Sequence, residues 1–109
     1  MPQVDVFVDG KGNVSCVPDP VPVGKSWRTV VIHWNMKSDG WMITGIAAPG
    51  GGPLDDEVFY SSKKEGKTDW KIKDKNPAVK DYNYEVQVSS TVTGECKAHD
   101  PVIRNGGRR

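Results

Sequence analysis

"SWRTVVIHWNM", residues 26–36, is the stretch that decides the fold, because its side chains repeat with the period of two that defines a β-strand. One face of the predicted strand carries Trp27, Thr29, Val31 and His33, and the other carries Val30, Ile32, Trp34 and Met36. Both faces are largely apolar, which predicts a central strand that is covered on both sides. The turn "KSDG" and the apolar "WMITGI" come next, so residues 27–46 are predicted to form a hairpin.

The same alternation recurs on both sides of this segment, and no window shows a helical stripe. The side chains predicted to face inward are Val4, Val6 and Val8, then Trp70 and Ile72, and then Tyr82, Tyr84, Val86 and Val88, the last four on a second long strand. In "PDPVPVG", residues 18–24, three prolines remove backbone donors and predict an extended edge or a crossover.

These features predict an all-β fold, namely an antiparallel β-sandwich of about seven or eight strands with immunoglobulin-like or cupredoxin-like topology. A chain of 109 residues suits one domain, which is predicted to span residues 1–105. The last four residues, 106–109, are predicted to form a flexible tail.

The composition is that of a globular protein, with 36% hydrophobic and 27% charged residues. The net charge of +1 predicts no general attraction to nucleic acid or to a membrane. The opening "MPQVDVFVDG" is acidic where a signal peptide is basic and then apolar, and no stretch approaches the roughly 20 apolar residues of a membrane span. The protein is therefore predicted to be cytoplasmic, or secreted or periplasmic if an export segment has been removed.

The two cysteines, Cys16 and Cys96, leave two alternatives open. In a reducing compartment both are expected to be free thiols that behave as small hydrophobic residues. In an exported protein a disulfide between them would close a long loop and add roughly 4 kcal/mol to stability.

"GECKAHDP", residues 94–101, raises the question of a copper site, because Cys96 and His99 follow an upstream His33 as in a cupredoxin. A methionine is usually the fourth ligand, and none follows His99. A copper-binding or redox protein that uses these three residues is therefore the alternative function, and the preferred prediction has no cofactor. No nucleophile lies in an arrangement typical of catalysis, so the chain is predicted not to be an enzyme.

The largest charge feature is a lysine series over residues 63–81, where seven lysines and four carboxylates leave a net charge of +3. Alternation places Lys71, Lys73 and Lys75 on the face opposite Trp70. These lysines predict a second alternative, an anion-binding or nucleic-acid-binding face, although the interspersed carboxylates argue against nucleic acid. The structural interpretation is a solvated sheet face or an edge strand that lysines protect from pairing.

The C-terminal part of the chain also shows a resemblance to known proteins. "WKIKDKN", "YNYEVQV" and "DPVIRN", within residues 68–105, resemble the C-terminal half of small uncharacterised bacterial proteins that end in a Tyr-x-Tyr-x-Val…Asp-Pro-x-Ile-x-Asn pattern. The resemblance implies an all-β domain without an established activity. It also implies a final strand in which Val102 or Ile103 is packed and Asn105 ends the strand.

Four tryptophans in so small a chain favour an interaction surface, because aromatic rings are enriched at protein interfaces. The preferred function is a non-enzymatic module that binds another protein or a second copy of itself, with no membrane partner. The candidate surface residues are Trp27, Trp41 and Trp70.

Overall fold

The computed structural model describes residues 2–107, which form eleven β-strands joined by turns and loops. The strands are β1 (Gln3–Val8), β2 (Val14–Val17), β3 (Val21–Val23), β4 (Val30–Met36), β5 (Trp41–Ala47), β6 (Phe59–Glu65), β7 (Asp69–Asp74), β8 (Val79–Asn83), β9 (Glu85–Ser90), β10 (Cys96–His99) and β11 (Val102–Gly106). Within these residues no helix is long and apolar enough to cross a membrane.

The strands form three sheets: a five-stranded sheet in the order β2-β1-β4-β7-β6, a second sheet β10-β9-β5, and a third sheet β3-β11-β8. The prediction of an all-β fold is confirmed. The predicted count of seven or eight strands is too low, and two of the pairings, β1 with β4 and β3 with β11, are parallel within the predicted antiparallel architecture. Strands that pass from one sheet into another account for much of the larger number.

The predicted long strand that carries Tyr82 and Val86 is one of these bent strands. It divides at Tyr84 into β8 of the third sheet and β9 of the second sheet. Opposite the break, the backbone N–H of Tyr84 donates to the carbonyl oxygen of Pro101 at 3.0 Å, between β10 and β11. A proline has no backbone N–H to continue the ladder, so the paired chains change sheet together at this point.

The predicted hairpin over residues 27–46 does not form. Both edges of β4 are occupied, one by β1 and the other by β7, whereas β5 pairs with β9 in the second sheet. The hydroxyl of Ser38 accepts from the backbone N–H of Val8 at 2.8 Å and donates to its carbonyl at 3.1 Å. This contact holds the turn after β4 against the end of β1, and the chain continues into the other layer.

One cluster of buried side chains joins the three sheets. Its members are Val4, Val6, Val8, Cys16, Val21, Val23, Ile32, Trp34, Ile43, Ile46, Val58, Phe59, Ile72, Tyr84, Val86, Val88 and Ile103. At its centre the Trp34 indole N–H donates to the Tyr84 hydroxyl at 2.9 Å, and the two rings meet edge to face at 5.4 Å. Most inward-facing predictions are confirmed, with Trp70 and Tyr82 only partly buried. The outer face of β4 is not covered as predicted, since Val31 and His33 are half-buried.

The chain remains part of the fold beyond residue 105, so the predicted tail begins too early. Gly106 is the last residue of β11, and Gly107 is buried. The backbone N–H of Gly107 donates to Asn76 Oδ1 at 2.9 Å, and its carbonyl accepts from the backbone N–H of Ser26 at 3.1 Å. Residues 108–109 of the predicted tail lie outside the described residues.

Candidate functional site: a lysine face on the five-stranded sheet

The outer face of the five-stranded sheet gathers basic side chains from β6 and β7. In the pairing register, His33 lies opposite Lys71 and Lys71 lies opposite Lys63, while Val31, Lys73 and Tyr60 form the adjacent row. The intervening Ile32 and Ile72 are buried, so these rows point away from the core. We call the outward-facing set the lysine face; it consists of Lys63, Lys71, Lys73 and Lys75 with Tyr60, Ser61 and Val31.

A small hollow of about 140 Å³ lies within the lysine face. It is lined by Val31, Ser61, Lys63, Lys71 and Lys73. The register between β6 and β7 shifts between Tyr60 and Lys63, and Ser61 has a φ of 51°, in the left-handed region. Such an irregularity re-aims the side chains that follow it, which brings Lys63 opposite Lys71 on one side of the hollow.

The lysines of this face differ in how far they are neutralised. Lys71 Nζ lies 2.7 Å from Glu65 Oε2, and this hydrogen bond holds the pKa of the Glu65 carboxyl below its usual range. Lys73 and Lys75 lie over the Tyr60 ring, with their ammonium groups 5.7 Å and 5.5 Å from its centroid. Within residues 2–107, Lys63, Lys73 and Lys75 have no carboxylate at ion-pair distance. The face is therefore a net cationic surface with an aromatic ring in it.

His33 lies beside the hollow and has a long contact with one carboxylate. Its Nε2 is 3.5 Å from Asp69 Oδ2, yet the geometry leaves Nε2 without a hydrogen-bond partner among the described residues. At 3.5 Å the contact is long for a hydrogen bond. The other oxygen of Asp69 accepts from the backbone N–H of Met36 at 2.9 Å, which orients the carboxylate.

The three candidate tryptophans differ in their exposure to solvent. Trp27 is 67% exposed in the segment before β4, outside the strand predicted for it. Thr29 in the same segment lies 3.4 Å from the Tyr60 hydroxyl, oxygen to oxygen, so this segment borders the lysine face. Trp41 and Trp70 are half-buried, and the Trp70 indole N–H donates to Ser62 Oγ at 2.9 Å. Of the predicted aromatic patch, only Trp27 is mainly exposed.

The structure does not assemble the copper site that the sequence suggested. Cys96 and His99 lie at the two ends of the short strand β10 in the second sheet, whereas His33 lies in the five-stranded sheet. Positions three apart on a strand point to opposite faces, so even Cys96 and His99 diverge. Across residues 2–107 no group of three or more His, Cys, Asp or Glu side chains is placed to hold a metal ion.

Of the two alternatives for the cysteines, the structure has free thiols. Cys16 is buried on β2, and burial, together with the nearby charge of Asp19, raises the pKa of its thiol to about 12. Cys96 is exposed on a groove of about 340 Å³ on the outer face of the second sheet, which Glu85 and Gln87 also line. A thiol with so high a pKa stays protonated at neutral pH, so Cys16 is a packing residue.

The sequence analysis singled out Lys71, Lys73 and Lys75 and counted Lys63 only as a member of the lysine series, and it did not select Tyr60 or Ser61. Strand β6 runs from Phe59 to Glu65, and its pairing with β7 brings Tyr60 and Lys63 next to the lysines of that strand. The irregularity that turns Lys63 toward Lys71 depends on pairing with β7.

No protein-family model matches this chain, and no curated protein matches it significantly. A function for the lysine face therefore has to be argued from its charge, exposure and geometry.

Proposed function

We propose that the protein is a non-enzymatic interaction module that binds an acidic segment of another protein through the lysine face. One observation carries the proposal: three lysines border one hollow next to an exposed tyrosine ring that two lysine side chains flank. Carboxylates of a partner would find several donors within one small area. Cationic and aromatic groups together are typical of surfaces that recognise proteins.

The charges and the ring would contribute in different ways. The ammonium groups attract an acidic partner and orient it before contact, an effect that depends on ionic strength. Tyr60 is 38% exposed and adds apolar contact area that salt does not screen. Glu65, which already pairs with Lys71, would be displaced or would repel a partner that carries acid at that position. The face therefore favours partners whose carboxylates reach Lys63 and Lys73.

A heterologous acidic partner fits this face better than a second copy of the chain does. Two lysine faces brought together would repel each other, because like charges across an interface oppose association. The irregularity of β6 and the lysines beside it also discourage edge-to-edge pairing of two sheets. Self-association through this face would therefore argue against the proposal.

Protein is also favoured over nucleic acid as the partner. Trp70, which is next to Lys71 in sequence, is half-buried and its indole N–H donates to Ser62 Oγ, so its ring is a poor platform for stacked bases. Glu65 and Asp69 lie at one end of the face, where they would repel a continuous phosphate backbone. A protein segment can carry its acidic residues only where the lysines are.

Several finer predictions belong to the same proposal and rest on the sequence. They are the absence of enzymatic activity, a cytoplasmic location, a bacterial origin for the chain's relatives, and an immunoglobulin-like or cupredoxin-like topology. None of them is needed for the lysine face to bind an acidic partner.

Calorimetric titration with poly-L-glutamate tests the proposal, with Lys63→Glu and Lys64→Glu as matched variants. The two substitutions make the same charge change at neighbouring exposed positions of β6, but alternation places Lys64 on the opposite face. We expect Lys63→Glu to weaken binding about tenfold or more and Lys64→Glu to change it by less than about threefold. Equal effects of the two variants would contradict the proposal. So would equally tight binding of a single-stranded oligonucleotide, or dimerisation through this face.

A further inference from the structure

Three polar side chains are completely buried where the five-stranded sheet meets the third sheet. Asp74 ends β7, Asn76 follows it, and Asn105 lies on β11; each has a relative exposure of 0%. Polar groups at such positions are costly unless they are hydrogen-bonded, so the partners of each atom matter.

Most of the atoms in this cluster have partners. Asp74 Oδ1 accepts from the backbone N–H of Asn76 at 2.8 Å and from Asn105 Nδ2 at 3.0 Å. Asn76 Nδ2 donates to the carbonyl oxygens of Gly24 at 2.9 Å and Gly107 at 3.1 Å. Asn76 Oδ1 accepts from the backbone N–H of Gly107, so every polar atom of this side chain is hydrogen-bonded. The cluster connects β7 to the C-terminal end of β11.

Two oxygen atoms of the cluster have no partner. Within the described residues, Asp74 Oδ2 and Asn105 Oδ1 are buried and make no hydrogen bond. Buried acceptors without a donor destabilise the folded state, because they have lost their hydrogen bonds to water. The two head groups already lie side by side, because Asn105 Nδ2 donates to Asp74 Oδ1. A carboxyl group and a carboxamide in this arrangement can form two reciprocal hydrogen bonds if the carboxyl carries a proton.

We propose that Asp74 is protonated in the folded protein and that its Oδ2 hydroxyl donates a hydrogen bond to Asn105 Oδ1. One proton, taken from water on folding, then satisfies both unpartnered oxygens. It also removes the negative charge that burial would otherwise enclose. β7 and β11 are held together by a neutral acid–amide pair.

The surroundings of Asp74 favour the neutral acid. Its register neighbours are Val30 on β4 and Phe59 on β6, and both are apolar. From β8 it faces Tyr82, a phenol that is neutral at ordinary pH and whose pKa is raised chiefly by burial. No ion pair within residues 2–107 includes Asp74.

The nearest lysines along these strands are directed elsewhere. Lys73 and Lys75 flank Asp74 in sequence, but their ammonium groups lie over Tyr60 on the outer face. Lys80 on β8 lies over the Tyr82 ring, 5.2 Å from its centroid. Burial raises the pKa of the Asp74 carboxyl, and this outweighs the hydrogen bonds from Asn76 and Asn105, which lower it. The pKa direction agrees with the geometry.

The acid–amide pair contributes more to the stability of the fold at low pH than at higher pH. Asp74 has a folded-state pKa above its unfolded value, so its contribution is complete below about pH 4, the ordinary aspartate range. Above that value the unfolded chain loses its proton first, and the contribution falls until the folded carboxyl also ionises. Over this window the folding constant falls by up to about tenfold per pH unit. Ionised Asp74 has no proton to donate, so the β7–β11 junction is weakened.

Carbon-13 NMR of the carboxyl groups in the native protein tests the proposal directly. We expect the Asp74 side-chain carbon to show a protonated carboxyl at a pH where the exposed carboxyl groups are already ionised. A carboxyl that is ionised together with the exposed groups, at about pH 4, would overturn the proposal. This measurement uses the native protein, so its outcome does not depend on whether a variant folds.

Asp74→Asn provides a second test, because an amide at position 74 can make the same reciprocal bonds as the protonated acid. We expect this variant to be folded and to lack the decrease in stability that begins above about pH 4 in the native protein. The matched control is Asp81→Asn, at an exposed carboxyl whose pKa is lowered by its hydrogen bonds from Arg104. The Asp81→Asn variant should retain the decrease in stability above about pH 4. An Asp74→Asn variant with the same pH dependence as the native protein, or one that does not fold, would contradict the proposal.

Discussion

Strand β7 has charged residues on both of its faces, and the two faces differ in their access to water. On the outer face Lys73 is exposed and Lys71 is half-buried, and both line the hollow. On the inner face Asp74 has an exposure of 0% and bonds to Asn76 and Asn105. A charge that stays in water costs little and is available to a partner, whereas an enclosed charge must be neutralised. Alternation along one strand thus separates the proposed recognition surface from the cohesion of the fold.

The largest effect is expected on the inner side, at Asn76. Replacing Asn76 by Ala removes its side-chain hydrogen bonds to Gly24 and Gly107. The alanine would also have to adopt the left-handed backbone conformation, with a φ of 50°, without those bonds to stabilise it. We expect a loss of about 3 kcal/mol in the free energy of unfolding, measured with urea. Asn76→Gly relieves the backbone strain and should recover only part of that loss. A loss below about 1 kcal/mol for Asn76→Ala would show that the inner cluster does not hold the sheets together.

A second test compares two glycines with nearly the same φ, 84° at Gly107 and 81° at Gly40. A β-carbon at Gly107 would lie 3.2 Å from Val79 Cγ2 and from its backbone nitrogen, whereas at Gly40 it would meet open space. We expect Gly40→Ala to cost about 1 kcal/mol from the backbone alone, and Gly107→Ala at least about 2 kcal/mol. Equal losses in thermal or urea unfolding would mean that residue 107 is not packed into the inner region.

On the outer face the same kind of substitution should scarcely change stability. Lys73→Ala removes an exposed ammonium group and its contact with Tyr60, and we expect a change of about 0.5 kcal/mol or less in urea unfolding. Binding of poly-L-glutamate should nevertheless weaken severalfold at low salt. A large loss of stability would contradict the contrast between the two faces.

The smallest effect is expected for Glu65→Gln. The folded-state pKa of Glu65 is lowered by the hydrogen bond from Lys71, so its contribution is present above the ordinary glutamate range and is lost as pH falls through the folded-state pKa. Thermal unfolding should show the native protein slightly more stable than the variant near neutral pH and equal to it in acid. The difference should shrink in high salt, as for other exposed ion pairs. A difference that persists in acid would mean that packing, and not charge, is responsible.

The parts of the fold that could be predicted from sequence are those that depend on local alternation. Val4, Val6 and Val8 are buried on one face of β1, and Ile72 is buried on β7, as their period of two predicted. The same period places Asp74 on the buried face with Ile72. In the sequence analysis Asp74 was counted only as one of the four carboxylates among the lysines of residues 63–81. Extending the inward-facing series from Trp70 and Ile72 by two residues would have identified Asp74 as a buried carboxyl.

The parts that could not be predicted depend on which strands meet. Nothing local indicates that β4 lies between β1 and β7, which is why the hairpin over residues 27–46 was predicted. The sheet change at Tyr84 depends on Pro101, which lies 17 positions further along the chain. The separation of His33 from Cys96 likewise follows from sheet order. Within the site, the lysines of β7 were predictable, and their convergence with Lys63 was not.

Amide NMR of the native protein during addition of poly-L-glutamate tests the account's central claim, that the outer face of β6 and β7 is the binding surface. We predict that the largest shift changes fall within residues 59–65 and 69–75, and that added salt reverses them. Changes confined to the strands β10, β9 and β5, or an absence of changes at low salt, would contradict the account.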